Sequence, residues 1–194
     1  MHGRDQDPAY MQAHLVEPLG LDDVTYVIPA AEHGAWYPGR FFDPIESLEP
    51  WLSDALSALD DAISACEVPV ERIVLAGFSQ GACIVAEHVA RRPAPYLGVA
   101  LLTGTLLGRP EEHTTVGALD GLPVFVSAGR HDEWIPLKHI EQTSRAFSAA
   151  GARVSVALTD NTDHVITPEA VDGVRALLRS SPRPGRGSRQ PGAR

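Results

Sequence analysis

Gly77-Phe78-Ser79-Gln80-Gly81 directly follows the apolar run Ile73-Val74-Leu75-Ala76. A serine with glycine two positions away on each side, between a strand's end and a helix's start, has the form of a nucleophile elbow. The chemistry that suits this form is attack of a hydroxyl on an acyl carbonyl. The tight turn holds the serine in a strained conformation, and the glycines let neighbouring backbone pass without a Cβ clash. The hydroxyl then stands beside N–H groups at the helix start, where the positive dipole end favours an oxyanion. The pattern alone also fits an ordinary strand-to-helix turn, so its context has to decide.

An elbow of this kind requires an acid and then a histidine, each after a later strand. The strand-like run 123–128 is followed by Gly129-Arg130-His131-Asp132, and the run 153–158 by Thr159-Asp160-Asn161-Thr162-Asp163-His164. Asp132 and His164 therefore occupy the two loop positions that the mechanism needs. Ser79 would attack, His164 would take its proton and return it to the leaving group, and Asp132 would orient the imidazole. Asp160, Asp163 and Glu133 are rival acids, and the pattern favours the one after the earlier strand. His131 adjoins Asp132, and adjacent side chains point apart. His14, His33, His88, His113 and His139 lack metal-ligand spacing, so no metal site is expected.

The elements that must position these residues form one α/β domain. Five short apolar runs, 24–28, 73–78, 99–103, 124–128 and 154–158, alternate with helical patterns. Most are apolar at nearly every position, as in parallel strands covered on both faces. Residues 50–66 place Trp51, Leu52, Ala55, Leu56, Leu59, Ala62 and Ile63 at helical spacing. Further helices are expected over 80–92, over 138–150 before Gly151, and after Thr167-Pro168, a cap followed by a first helical proline. Strand and helix in alternation predict a mainly parallel sheet with helices on both faces, its loops gathered at the strands' carboxyl ends.

The chain has 194 residues, a net charge of −9 and two cysteines, Cys66 and Cys83, too few for a disulfide framework. The acidic balance argues against a nucleic-acid partner, and no apolar stretch reaches the ~20 residues of a membrane span. A cytoplasmic protein is the natural expectation. Residues 1–179 read as the domain. Residues 180–194, rich in proline, glycine, serine and arginine with no acid, read as a disordered basic tail.

Taken together, His2-Gly3-Arg4, Trp36-Tyr37-Pro38, Gly77 to Gly81, Gly129-x-x-Asp132-x-x-Ile135-Pro136 and Asp163-His164 resemble the phospholipase/carboxylesterase group of α/β-hydrolases, which includes acyl-protein thioesterase-like enzymes. The resemblance spans most of the chain. It implies an α/β-hydrolase fold, no cofactor, and a small-molecule ester or thioester as substrate. It also implies that the backbone N–H groups of Arg4 and Gln80 form the oxyanion hole. The Trp36 segment and Ile135 would wall the acyl pocket, although Trp36, Tyr37, Phe41 and Phe42 fit a core-capping role equally well. A homodimer is compatible with this reading.

Two departures stand out. Asp5 would place a carboxylate beside the oxyanion hole, opposing the developing charge unless it faces solvent or is paired. The chain also opens at Met1-His2-Gly3, where the family has a central strand running into His-Gly. The expectation is that the natural protein extends upstream, and that without that strand the runs at 24–28 and 73–78 either pair directly or separate. A catalytically impaired binding protein on the same scaffold is the alternative function, and a lysophospholipase is another.

Overall fold

The computed structural model describes residues 1–109 and 116–180. Nearly all of the basic stretch expected to be a tail, from residue 181 onward, lies outside the described residues. The described strands are β1 (Val74–Phe78), β2 (Gly98–Leu102), β3 (Pro123–Gly129) and β4 (Arg153–Thr159). They pair in the order β1-β2-β3-β4, every neighbour parallel, with Phe78 beside Leu102, Leu102 beside Ser127 and Ala128 beside Leu158.

The helices are α1 (Pro8–Met11), α2 (Glu17–Leu19), α3 (Trp51–Ser64), α4 (Gln80–Arg91), α5 (Leu137–Ala149) and α6 (Pro168–Leu178). Alternation along the strands sorts the core into two layers. Leu75, Val99, Leu101, Val124 and Val126 pack with α3, α4 and α5 on one face. Phe78, Ala100, Leu102 and Phe125 pack with α6 and the amino-terminal helices on the other. The expected helices appear within one or two residues of their predicted bounds. Thr167 caps α6 by accepting from the Ala170 N–H at 3.3 Å, with Pro168 in the first turn.

One helical stretch was not anticipated. Asp7 accepts from the Tyr10 N–H at 2.9 Å and starts α1. The chain widens into a π-helical turn over Gln12–Val16, continues as α2, and stops at Gly20 in the left-handed region at φ 59°. Met11, Leu15 and Leu19 are buried along it against the Phe78 face.

The run 24–28 is corrected here: it is not a strand. Strand assignment needs a paired neighbour, and apolar composition cannot supply one. At its carboxyl end, β1 pairs with Met1, whose amine donates to the Ala76 carbonyl at 2.8 Å and whose carbonyl accepts from the Phe78 N–H at 3.0 Å. Toward the amino end, residues 24–28 stand across a groove of about 510 Å³ from Val74, Leu75 and Ala76. At the other margin β4 is only partly covered, with Val156 exposed, so the expectation of strands buried on both faces holds for β2 and β3 but not for β4. Among the described residues no helix is long and apolar enough to cross a membrane.

Candidate active site

Ser79 sits between β1 and α4 at φ 53°, ψ −121°, a backbone conformation that side-chain-bearing residues rarely adopt. The surroundings over-determine this strain. Its N–H donates to the Leu102 carbonyl at 2.9 Å, and its carbonyl accepts from Ala82 and Cys83 at 2.9 and 3.1 Å. The flanking glycines are required by close approach. A Cβ at Gly77 would overlap the backbone of Gly81 and Ala82, and a Cβ at Gly81 would overlap the backbone of Met1 and His2.

The loops after β3 and β4 bring two further side chains to this turn. His164 Nε2 lies 2.7 Å from Ser79 Oγ, and His164 Nδ1 lies 2.7 Å from Asp132 Oδ2. The other Asp132 oxygen accepts from the Trp134 and Ile135 N–H groups at 2.8 and 3.0 Å. Asp132 is buried. Burial pushes its carboxyl upward, but the bond from His164 and the two N–H donors outweigh that and hold it below the ordinary carboxylate range. An ionised Asp132 is an acceptor only, so Nδ1 carries the proton and the Nε2 lone pair faces the serine hydroxyl. The imidazole is flanked by Phe78, 5.1 Å between ring centroids, and Trp134, at 6.1 Å. Among the described residues none of the rival acids bonds His164: Asp160 pairs with Arg130 at 3.0 Å, and Asp163 and Glu133 are exposed, Glu133 at the cleft.

Beside Ser79, the His2-Gly3-Arg4 segment turns sharply. The Gly3 N–H donates to Gln6 Oε1 and the Asp5 N–H to the Gly34 carbonyl, both at 2.9 Å. Among the described residues the Arg4 and Gln80 N–H groups have no acceptor. Asp5 is exposed, in the left-handed region at φ 57°.

Two positioning side chains were not anticipated from the sequence. His2 is buried: its Nδ1 lies 2.8 Å from the Gly3 carbonyl, its Nε2 accepts from the Ala31 N–H at 3.0 Å, and its carbonyl accepts from Trp36 Nε1 at 2.8 Å. The Gln80 side chain accepts from the Trp36 N–H through Oε1 at 2.9 Å.

An open cleft of about 800 Å³ reaches Ser79 and His164. Tyr37 and Ile135 line it, with Phe41, Phe42, Trp134 and Pro136. Trp36 does not. Its indole is buried, bonded to the His2 carbonyl and packed against the His2 ring with centroids 4.9 Å apart, so of the two roles left open it takes the core one. Cys83 also reaches the cleft, but burial pushes its thiol up to about 11, which keeps it protonated and a poor rival nucleophile. Among the described residues no group of three His, Cys, Asp or Glu side chains could hold a metal ion.

The family model described as Phospholipase/Carboxylesterase matches residues 9–181. Over 182 residues the chain is 28% identical to an Acyl-protein thioesterase 1 from Eremothecium gossypii, covering 91% of this chain and 77% of that protein. The crystal structure of a phospholipase/carboxylesterase from Dyadobacter fermentans superposes with a TM-score of 0.79 at 28% identity, covering 91% of this chain and 86% of the other. The Bacillus cereus carboxylesterase shares the fold, with a TM-score of 0.70 at 22% identity and coverage of 92% and 84%.

Proposed function

The chain belongs to the phospholipase/carboxylesterase family of hydrolases, and on that premise we propose that it is a serine hydrolase of carboxylic esters or thioesters of small acyl substrates, acting through an acyl-enzyme. The observation that supports this reading is the continuous relay Ser79–His164–Asp132, with both links at 2.7 Å.

In this mechanism Ser79 Oγ attacks the acyl carbon while its proton passes to His164 Nε2. Asp132 stabilises the resulting imidazolium without itself taking the proton. The carbonyl oxygen becomes an oxyanion facing the Arg4 and Gln80 N–H groups. Each such donor is worth about 3–4 kcal/mol of barrier in water-excluded sites. Collapse breaks the C–O or C–S bond, and His164 gives its proton to the departing alkoxide or thiolate. A water then attacks the acyl-serine, its proton goes to His164, and collapse releases the acid as that proton returns to Ser79. Tyr37 and Ile135 would bound the acyl side.

The test is hydrolysis of short p-nitrophenyl esters together with labelling by a fluorophosphonate probe. Both are expected to disappear in Ser79→Ala. Labelling that survives the substitution would remove Ser79 from the mechanism, and a folded wild-type protein with neither property would favour the binding-protein alternative.

A further inference from the structure

Away from the cleft, the β4 margin of the sheet is an open edge. The β3–β4 ladder uses the odd-numbered residues of β4: the Arg153 N–H donates to the Leu122 carbonyl at 2.9 Å, and the Thr159 carbonyl accepts from the Arg130 N–H at 2.8 Å. Successive residues of a strand turn their main-chain groups to opposite sides. Val154, Val156 and Leu158 therefore aim their N–H and C=O groups outward, and among the described residues none of these groups has a partner.

Proteins commonly guard such an edge with a charge, a proline or a bulge. This edge lacks all three. From Val154 to Thr159 it carries no charged residue and no proline. Its register with β3 runs unbroken from Arg153 to Thr159, and Val156 is 47% exposed. The opposite margin differs, because Met1 bonds to β1 and residues 24–28 stand across the groove from it.

We propose that β4 pairs antiparallel with β4 of a second copy of this chain, about a twofold axis at Val156, joining the two sheets into one. A single register satisfies every outward group. Val156 exchanges both main-chain bonds with its own counterpart, and at each end Val154 does so with Leu158. A shift by two residues leaves Leu158 or Val154 opposite a residue beyond the strand. The side chains agree with this register. Directly opposed residues share a face of an antiparallel pair. Val156 meets Val156 and Val154 meets Leu158, on the face where Val154 and Leu158 already pack against the core. On the other face Ser155 meets Ala157 and Arg153 meets Thr159. The strand's ends carry unlike charges. Arg153 is exposed, and Asp160, which holds Arg130 at 3.0 Å, keeps its side chain 85% exposed. Antiparallel pairing sets each Arg153 beside the other copy's Asp160, whereas parallel pairing would set like charges together. The two clefts, at the carboxyl ends of the strands, come to lie at opposite rims of the joined sheet.

A strand edge is a small contact, so the dimer is expected to dissociate on dilution. Sedimentation velocity over a dilution series, with backbone hydrogen exchange on the same samples, tests this. The wild type is expected to pass from twice the chain's mass to the single mass as it is diluted, and exchange over residues 153–159 to be slow in the dimer and fast in the monomer. Val156→Lys places two like charges at the axis and is expected to be monomeric throughout, with its far-UV circular dichroism unchanged. Should that variant misfold, the wild-type exchange decides alone. Four results would overturn the inference: a chain monomeric up to about 1 mM, a dimer that forms without slowing exchange over 153–159, protection there that ignores concentration, or a folded Val156→Lys that still dimerises. None of these outcomes bears on the hydrolase reading, which stands on other residues.

Discussion

The side-chain amide of Gln80 is tied to the main chain at Tyr37, with Nε2 donating to the Tyr37 carbonyl at 2.8 Å. Its Oε1 accepts from the preceding N–H, that of Trp36, at 2.9 Å. One residue thus carries the backbone N–H proposed for the oxyanion hole and clamps the loop beside the cleft. Gln80→Ala keeps the backbone donor but strands the buried Trp36 N–H, at a cost of about 1–3 kcal/mol, while the Tyr37 carbonyl retains the Arg4 guanidinium at 3.1 Å. Urea unfolding should show that loss, and ester hydrolysis should fall by about 10–100-fold as the wall loosens. An unchanged activity would show that the loop is held in place without the clamp.

Asp132 is expected to matter through the tautomer it imposes. In Asp132→Asn an amide N–H can face His164 Nδ1, which moves the ring proton to Nε2 and leaves no base for Ser79. Activity is expected to drop by about 10³–10⁴-fold with the fold retained, read from kcat and the rate of fluorophosphonate labelling. The native carboxyl is held below its ordinary range despite the upward push of burial. Its contribution to stability is therefore present above the unfolded value of about 4 and is lost as pH falls through the lower folded value. The stability gap between wild type and Asp132→Asn should narrow only on that acid side.

Gly81 should tolerate no side chain. A Cβ there would overlap the main chain of both Met1 and His2, backbone that cannot rotate away. Gly81→Ala is expected to cost more than about 2 kcal/mol and to lower Tm by several degrees. It should also disturb the His2-Gly3-Arg4 turn, so hydrolysis by the protein that remains folded falls as well. A Tm equal to wild type would contradict the close approach.

Two buried histidines give a pH dependence of the same sign at higher pH. Burial is the main cause lowering both His2 and His88 below the ordinary imidazole value. His2 Nε2 accepts the Ala31 N–H, a bond that protonation would remove, and His88 Nε2 sits 3.0 Å from the Tyr96 hydroxyl. Asp60, itself paired with Arg92, is 3.6 Å from the far side of the His88 ring. As pH falls through about 6.5 the unfolded chain binds protons that the folded chain refuses, so stability declines there and is flat above. Urea midpoints across this range should show the slope, and His88→Gln should reduce it. A slope unaffected by that substitution would assign the effect to His2 and other groups.

The parts of the site that could be read from sequence are those where one residue type does one job. The elbow glycines, the acid after β3 and the histidine after β4 each occupy a position fixed by the strand that precedes them. Thr167-Pro168 likewise announced α6. The side chains of His2 and Gln80 were not legible, because their roles depend on main-chain groups some 30 to 44 positions away in sequence. The amino-terminal helical stretch was legible in hindsight from Asp7-Pro8, the spacing of Met11, Leu15 and Leu19, and Gly20. The run 24–28 misled for a physical reason: β composition describes a surface suited to pairing and says nothing of whether an edge is within reach.

Trp134 is 73% exposed and its ring is 6.1 Å from that of His164. This tryptophan is an exposed fluorophore set directly beside the His164 ring. Trp36 is sealed in the core and Trp51 projects from the outer face of α3, which leaves their emission as a steady background. Emission from the unmodified protein is therefore expected to respond to what occupies the cleft that Trp134 lines with Ser79 and His164.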